Sequence, residues 1–265
     1  MSAKPLYHPS RVIRGAILTF HAIDWSGSVL STPPPLFAEQ MRVLAESGAR
    51  LVPLTDLPSL ISAPSTRAPV VALTFDDGFL SVYEHALPVL TRYGFPATVF
   101  VVSDYCGRTN CWPSQPAQVK RQPLLNWQEL HELIRAGLSA GCHTRTHPDL
   151  RDLATSEMLQ EITGAKSRIE DALGAPVEAF AYPYGAYNHK VRAMVASEFF
   201  LACSTVLGFV GSGSDPFALE RLDMYYLRRL ELFARLFTPP VRNYLRLRRS
   251  LRDLRAGGHR PYSAS

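Results

Sequence analysis

One stretch of the chain, residues 70–78, joins an apolar segment to two adjacent acidic residues and a glycine. The segment VVALTF has the pattern of a buried strand, and Asp76, Asp77 and Gly78 follow at its carboxyl end. Two neighbouring carboxylates beside an apolar strand repel each other and lose hydration, so the pair requires a positive partner. A divalent metal ion bound by one carboxylate, with the other left free as a base, meets this requirement. A plain Asp-Asp-Gly turn is the alternative.

Two histidines, His143 and His147, occur four residues apart after the short run of residues 137–140. Side chains at this spacing lie on one face of a helical turn and can bind one ion. Two histidines and one aspartate form a common catalytic metal site that leaves positions open for water and substrate. Two solvent-facing histidines would give the same pattern. A zincin-type protease is disfavoured because Thr144, and not glutamate, follows the first histidine.

The rest of the chain alternates between strand and helix patterns and contains no internal repeat. Strands are predicted at residues 16–21, 50–53, 70–75, 97–102, 177–182 and 199–204, and helices at residues 33–47, 81–92, 126–136, 155–173 and 187–197. Ser31 or Thr32 is the predicted cap of the first helix. This alternation indicates an α/β fold with a parallel sheet. Polar groups at three strand ends predict a barrel-like architecture with the site at the carboxyl ends of the strands. The loop 103–123, which contains Trp112, is expected to line a substrate groove.

Three segments together resemble the first three motifs of the polysaccharide deacetylases (carbohydrate esterase family 4), in the same order: residues 74–78 (TFDDG), 143–147 (HTRTH) and 182–185 (YPYG). The resemblance covers residues 12–230. It implies a distorted (β/α) barrel with about seven strands. It also implies removal of N-acetyl groups from sugars with the help of a divalent metal ion, for which zinc is the first choice.

The resemblance assigns a role to each motif residue. Asp76 corresponds to the catalytic base. Asp77, His143 and His147 correspond to the metal ligands. The backbone N–H of Tyr184 corresponds to a donor that helps to hold the oxyanion.

The sequence departs from the family pattern at two positions. Many members carry an arginine that orients the catalytic aspartate where this chain has Ala181, and Arg221 is the predicted replacement, with an ordinary surface arginine as the alternative. Many members place the general-acid histidine near the C-terminus, but His259 is the only histidine after residue 190 and lies in a polar segment. His21 ends an apolar run and resembles the acid of a permuted subgroup, that of biofilm poly-N-acetylglucosamine deacetylases. A core histidine at a strand end is the alternative.

Residues 1–232 are predicted to form the barrel domain and residues 233–265 a basic C-terminal helix or tail. Residues 235–260 contain eight arginines and one acid, Asp253, a net charge of +7 against +5 for the whole chain. Four side chains share one face of a helix between these arginines: Tyr244, Leu247, Leu251 and Leu254. This pattern is typical of a membrane-surface helix, with partner docking or packing on the barrel as alternatives. No motif indicates nucleic-acid binding.

The chain has no run of 18 apolar residues and no apolar segment after its basic N-terminus, which predicts a cytoplasmic protein that can lie at the inner membrane face. Free thiols are expected for the four cysteines, although Cys106 and Cys111 could pair in an oxidising compartment. The predicted function is a hydrolase that removes N-acetyl groups from an amino sugar in a glycan or lipid-linked saccharide. Deformylation or O-deacetylation of a lipid-linked sugar, and a catalytically inactive sugar-binding barrel, are the alternatives.

Overall fold

A computed structural model describes residues 15–63, 68–255 and 262–263 of the protein. His259 and the outer ends of both predicted domains lie outside these residues. In chain order the strands are β1 (Gly15–Phe20), β2 (Arg50–Leu51), β3 (Val70–Phe75), β4 (Thr98–Val101), β5 (Ser139–Cys142), β6 (Ala179–Ala181), β7 (Tyr187–Asn188), β8 (Leu201–Leu207), β9 (Leu219–Asp223) and β10 (Tyr262–Ser263).

Seven of these strands close into a parallel barrel in the order β1-β3-β4-β5-β6-β8-β9, with β9 returning to β1. The longest register joins all six residues of β1 to β3, from Gly15 opposite Val70 to Phe20 opposite Phe75. Strand β2 adds two residues beside the start of β3, and β7 pairs with β10 outside the barrel. The predicted (β/α) barrel of about seven strands is therefore confirmed.

The helices cover the outside of the barrel. They are α1 (Pro34–Glu46), α2 (Leu57–Ser62), α3 (Leu87–Tyr93), α4 (Trp127–Arg135), α5 (Thr155–Leu159), α6 (Ala165–Leu173), α7 (His189–Glu198), α8 (Leu230–Phe233) and α9 (Pro239–Arg255). A π-helical turn precedes α3 and another joins α5 to α6, so the predicted helices 81–92 and 155–173 each contain a wider turn. No helix in the described part of the chain is long and apolar enough to cross a membrane.

The beginnings of α1 and α7 differ from the predictions. Pro33, and not Ser31 or Thr32, is the N-cap of α1, because the Ser31 hydroxyl instead donates a hydrogen bond to the Asp24 carboxylate at 2.6 Å. Helix α7 begins later than predicted because residues 187–188 pair as a strand. The side chain of Asn188 then caps the helix by accepting a hydrogen bond from the Val191 N–H at 3.0 Å.

The buried strand residues alternate between two apolar clusters. One cluster fills the barrel interior and includes Ile17, Val70, Ala72, Phe100, Ala179, Leu201 and Leu219. The other lies between the strands and the helices and includes Leu18, Phe20, Leu73, Phe75, Val99 and Phe180. Gly141 leaves room for the Phe100 ring, since a Cβ atom there would lie 2.4 Å from it. Because residues 70 and 72 face the interior, the period of two places residues 74 and 76 on the inner side as well.

The C-terminal helix α9 packs against the barrel with one side. Val241 and Leu245 are buried, and the Tyr244 hydroxyl donates a hydrogen bond to the Tyr226 carbonyl oxygen at 3.4 Å. Leu247, Leu251 and Leu254 point to solvent. The buried residues that hold the helix are thus displaced around its axis from the predicted apolar face, of which Tyr244 contacts the barrel.

Candidate active site

Three side chains from two strand ends converge at the mouth of the barrel. Asp77 follows β3, and His143 and His147 follow β5. The Asp77 Oδ1 atom lies 3.4 Å from His143 Nε2 and 3.5 Å from His147 Nε2, and the two ring nitrogens are 3.2 Å apart. All three side chains are buried. The structure therefore brings together the three residues that the sequence predicts as metal ligands.

The two histidines are oriented by different contacts. His143 Nδ1 lies 2.7 Å from the Ala181 carbonyl oxygen, so this nitrogen donates a hydrogen bond and Nε2 keeps a free lone pair. The His147 ring stacks on Trp112 and meets the edge of Tyr184, with ring centroids 4.6 Å apart in both pairs. Burial, followed by the nearby His143, lowers the pKa of His147 to about 3. The His147 ring therefore stays neutral, and the Nε2 atoms of both rings face Asp77 Oδ1.

The backbone around the site is strained. In the described part of the chain, only four residues other than glycine have a positive φ: Asp77 (70°), Thr144 (68°), His147 (60°) and Tyr184 (57°). The left-handed region is unfavourable for such residues, most of all for a β-branched threonine. Residues 143–147 do not form the helical turn assumed from their spacing, and two of the four left-handed residues, Thr144 and His147, lie in this segment.

The donor set fits a divalent metal ion. One ligand atom from each of Asp77, His143 and His147 lies within 4.8 Å of the other two. Two imidazoles and a carboxylate suit zinc and related first-row ions, and three protein ligands leave room for water and substrate.

Asp76 forms a buried, two-pronged ion pair with Arg221. The Nη1 and Nη2 atoms of Arg221 each lie 2.7 Å from one carboxylate oxygen, and both side chains are only 3–5% exposed. The Nε atom of Arg221 donates a further hydrogen bond to the Ser204 carbonyl oxygen at 2.8 Å. Burial raises the pKa of Asp76, but the charge and hydrogen bonds of Arg221 outweigh it and hold this pKa well below its usual range. The structure thus places Arg221, from β9, against the carboxylate, and it is not a surface arginine.

His21 and Tyr184 lie on the wall of the same cleft, which has a volume of about 470 Å³. His21 Nε2 is 3.9 Å from Asp76 Oδ2, and the ring is partly exposed. The Tyr184 hydroxyl donates a hydrogen bond to the Ser114 carbonyl oxygen at 2.8 Å, and the Ser114 hydroxyl donates to the His147 carbonyl oxygen at 2.6 Å.

Part of the cleft wall was missed by sequence reasoning. The loop 103–123 was expected to contribute, and Trp112, Pro116 and Val119 do line the cleft. Val29 and Leu30 also line the cleft, and this was not predicted. These two residues follow His21 in the loop after β1, and the position of this loop at the carboxyl end of a barrel strand was the available signal.

A closed parallel barrel with ionisable groups gathered at the carboxyl ends of its strands is the architecture of a (β/α)-barrel enzyme. Residues 63–198 match the sequence profile of the polysaccharide deacetylases, and the chain belongs to this family of carbohydrate deacetylases. His21 and Arg221 lie outside the matched segment, so their assignment depends on the geometry described above.

Known proteins with similar sequences or structures agree with this class. YxkH of Bacillus subtilis, which is itself classed with the polysaccharide deacetylases, is 26% identical over 210 residues, covering 78% of this chain and 70% of YxkH. The poly-β-1,6-N-acetyl-D-glucosamine N-deacetylase of Staphylococcus epidermidis is 29% identical over 134 residues, 47% of this chain and 44% of that protein.

The Streptococcus pyogenes deacetylase PplD, solved in complex with acetate, superimposes with a TM-score of 0.68 at 25% identity, covering 78% of this chain and 91% of that one. A polysaccharide deacetylase from Bacillus cereus shares the fold, with a TM-score of 0.69 at 24% identity over 84% of this chain and 69% of the other.

Proposed function

We propose that this protein is a metal-dependent hydrolase that removes N-acetyl groups from amino sugars in a glycan. The observation that carries the proposal is the convergence of Asp77, His143 and His147 beside the Asp76–Arg221 pair. The relatives named above support the substrate class, because one of them is an N-deacetylase of poly-N-acetylglucosamine. A divalent ion, when bound by these three residues, supplies a Lewis acid that polarises the amide carbonyl and makes water more acidic.

Asp76 is the proposed general base. Its carboxylate lies in the cleft and stays ionised at every working pH because Arg221 lowers its pKa. Arg221 is a positioning residue, since its fork holds both carboxylate oxygens in one plane and one orientation. General-base catalysis of this kind contributes about 100-fold to 10,000-fold to a rate.

His21 is the proposed general acid, and the Tyr184 backbone N–H is the proposed oxyanion donor. His21 lies on the cleft wall with Nε2 3.9 Å from the Asp76 carboxylate, and in its imidazolium form it could protonate the departing amine. Tyr184 is held with a positive φ next to the His147 ring, a strained arrangement of the kind found at active sites. Losing one oxyanion donor costs on the order of 100-fold or more in rate.

Acetate release from N-acetylglucosamine oligosaccharides tests the proposal, measured with and without a chelator. We expect acetate release that the chelator abolishes and zinc restores, and Asp76→Asn should lower turnover by at least about 100-fold while metal content stays the same. Asp215→Asn is the matched control, because Asp215 also binds an arginine through both oxygens but lies outside the cleft.

Two results would contradict the proposal. A metal-free protein that neither binds zinc nor releases acetate would be a sugar-binding barrel without activity. Release of formate alone, or of acetate from O-acetyl esters alone, would assign the same residues to another acyl group.

A further inference from the structure

The outer side of helix α9 exposes a stripe of leucines. Leu247, Leu251 and Leu254 are 59%, 39% and 76% exposed, and their spacing of four and three residues places them on one side of the helix. The barrel does not use this side, because α9 is already held by the buried Val241 and Leu245. Packing on its own barrel therefore leaves the leucine stripe uncovered. An apolar stripe within a polar, arginine-rich helix is characteristic of a surface that docks elsewhere.

The arginines of the same helix concentrate the positive charge of the protein. Residues 239–255 contain six arginines and one acid, Asp253, a net charge of +5, which equals the formal charge of the whole chain. The remaining residues are therefore neutral in sum. Five arginines of α9 have described side chains, and none of them takes part in an ion pair with another described residue: Arg242, Arg246, Arg248, Arg249 and Arg252. No carboxylate in the described part of the chain therefore neutralises these five positive charges.

A basic groove of about 480 Å³ runs along α9. Arg242, Arg246 and Arg249 line one side, and residues 207–214 line the other. Glu220 is the one acid among the lining residues, and it accepts a hydrogen bond from the Ser214 hydroxyl at 2.9 Å. Three cations against one anion leave the groove positive, which suits a phosphate group.

Helix α9 lies next to the mouth of the active-site cleft. The Arg252 guanidinium donates a hydrogen bond to the carbonyl oxygen of Thr205, and Thr205 lines the cleft. The Arg248 guanidinium lies over the Tyr226 ring at 5.2 Å, in the segment that follows the strand of Arg221. A surface bound to α9 would therefore lie beside the opening through which substrate enters.

We propose that α9 docks the protein on an anionic phospholipid bilayer, with the leucine stripe in the interfacial region and the arginines on lipid phosphates. Leucines and arginines together match a surface that offers both hydrocarbon and negative charge. If a second copy of this chain docked there through its own α9, two helices with a net charge of +5 each would face each other. Charge repulsion opposes such a dimer. The proposal concerns membrane binding alone. If it is combined with the proposed deacetylase function, the substrates would be glycans held at a membrane.

Vesicle sedimentation tests the proposal without any measurement of turnover. The full chain is mixed with vesicles of phosphatidylglycerol and phosphatidylcholine in a ratio of about 1 to 1, and with vesicles of phosphatidylcholine alone. We expect binding to the anionic vesicles only, weakening as salt rises, because each arginine near the surface contributes through charge. Arg246→Gln with Arg249→Gln should weaken binding by about 30-fold. Leu247→Gln with Leu254→Gln should weaken it as well, because the apolar contact is lost.

The controls are matched to these changes. Arg92→Gln with Arg135→Gln removes two exposed charges from α3 and α4, and Leu159→Gln removes an exposed leucine from α5. We expect both controls to bind like the parent protein. Equal binding to both kinds of vesicle, unchanged binding by the α9 variants, or dimerisation through α9 in analytical ultracentrifugation without vesicle binding would overturn the proposal. None of these results depends on whether the protein deacetylates a sugar.

Discussion

Replacing Arg221 by methionine measures how much unfolding free energy is lost when the buried Asp76 carboxylate has no arginine partner. The substitution removes the only arginine that binds Asp76 in the structure and leaves that carboxylate 3% exposed, with His21 Nε2 3.9 Å away. Breaking a buried pair by removing one partner costs about 3–5 kcal/mol of unfolding free energy. Arg192→Met is the matched control, because Arg192 binds Asp215 in the same two-pronged way with both side chains about one-third exposed. Loss of that exposed pair should cost only about 0–1 kcal/mol.

The dependence of stability on pH gives a second, independent signature. In the parent protein, Arg221 holds the pKa of Asp76 below its unfolded value, so this carboxyl stabilises the fold above the unfolded pKa and loses that contribution only in strong acid. Without the arginine, burial raises the pKa of Asp76, and the folded state holds a proton that the unfolded state releases. Above the unfolded pKa of about 4 and up to the raised folded pKa, the unfolding free energy of Arg221→Met should therefore fall as pH rises, by up to about 1.4 kcal/mol per pH unit.

Urea denaturation followed by tryptophan fluorescence measures both effects, at fixed zinc concentration and several pH values. Adding Asp76→Leu to Arg221→Met should recover stability, because it removes the unpaired buried charge. The reasoning would be refuted if Arg221→Met cost no more than Arg192→Met, or if its stability were flat over this pH range.

Three further predictions concern single residues of the site and its support. His147→Ala should lower zinc affinity by at least about 100-fold in a calorimetric titration, and unchanged affinity would remove this histidine from the ligand set. His21→Gln should lower turnover by about 100-fold or more with zinc content unchanged, and near-parental rates over the whole pH profile would exclude it as the acid. Gly141→Ala should lower stability by about 1–3 kcal/mol because its Cβ atom meets the Phe100 ring, whereas Gly211→Ala meets nothing within 4 Å and should leave the melting temperature unchanged.

The strand ends of the candidate site could be predicted from short sequence patterns. The run of residues 70–75 predicted a buried strand, and it forms β3 with all six residues buried. Barrel geometry then explains why residues far apart in sequence meet, since all seven strands are parallel and their carboxyl ends share one mouth. Because position 181 is an alanine and not the arginine of the family pattern, Arg221 was predicted as the partner of Asp76.

The fine geometry could not be predicted because tertiary contacts override local preference there. Thr144 and His147 adopt the left-handed region against their propensity, and they keep it through contacts such as the hydrogen bond from the His147 N–H to the Thr144 hydroxyl at 3.0 Å. The side of α9 that packs on the barrel was not predicted. Val241 and Leu245 are only two apolar residues among arginines, and the stronger pattern of Leu247, Leu251 and Leu254 faces solvent.

Closure of the barrel joins β1 to β9, the first and last barrel strands in chain order. Leu18 pairs with Leu222, although 204 residues of sequence separate them. Contacts between such distant residues form late, because a long loop must close before they stabilise anything. During synthesis β1 emerges before the other six strands of the barrel and has no β9 neighbour until β9 itself has emerged. Asp76 meets Arg221 only at that moment, so a nascent chain that ends before β9 lacks the oriented carboxylate, and the proposed hydrolase acquires its activity only with the last barrel strand.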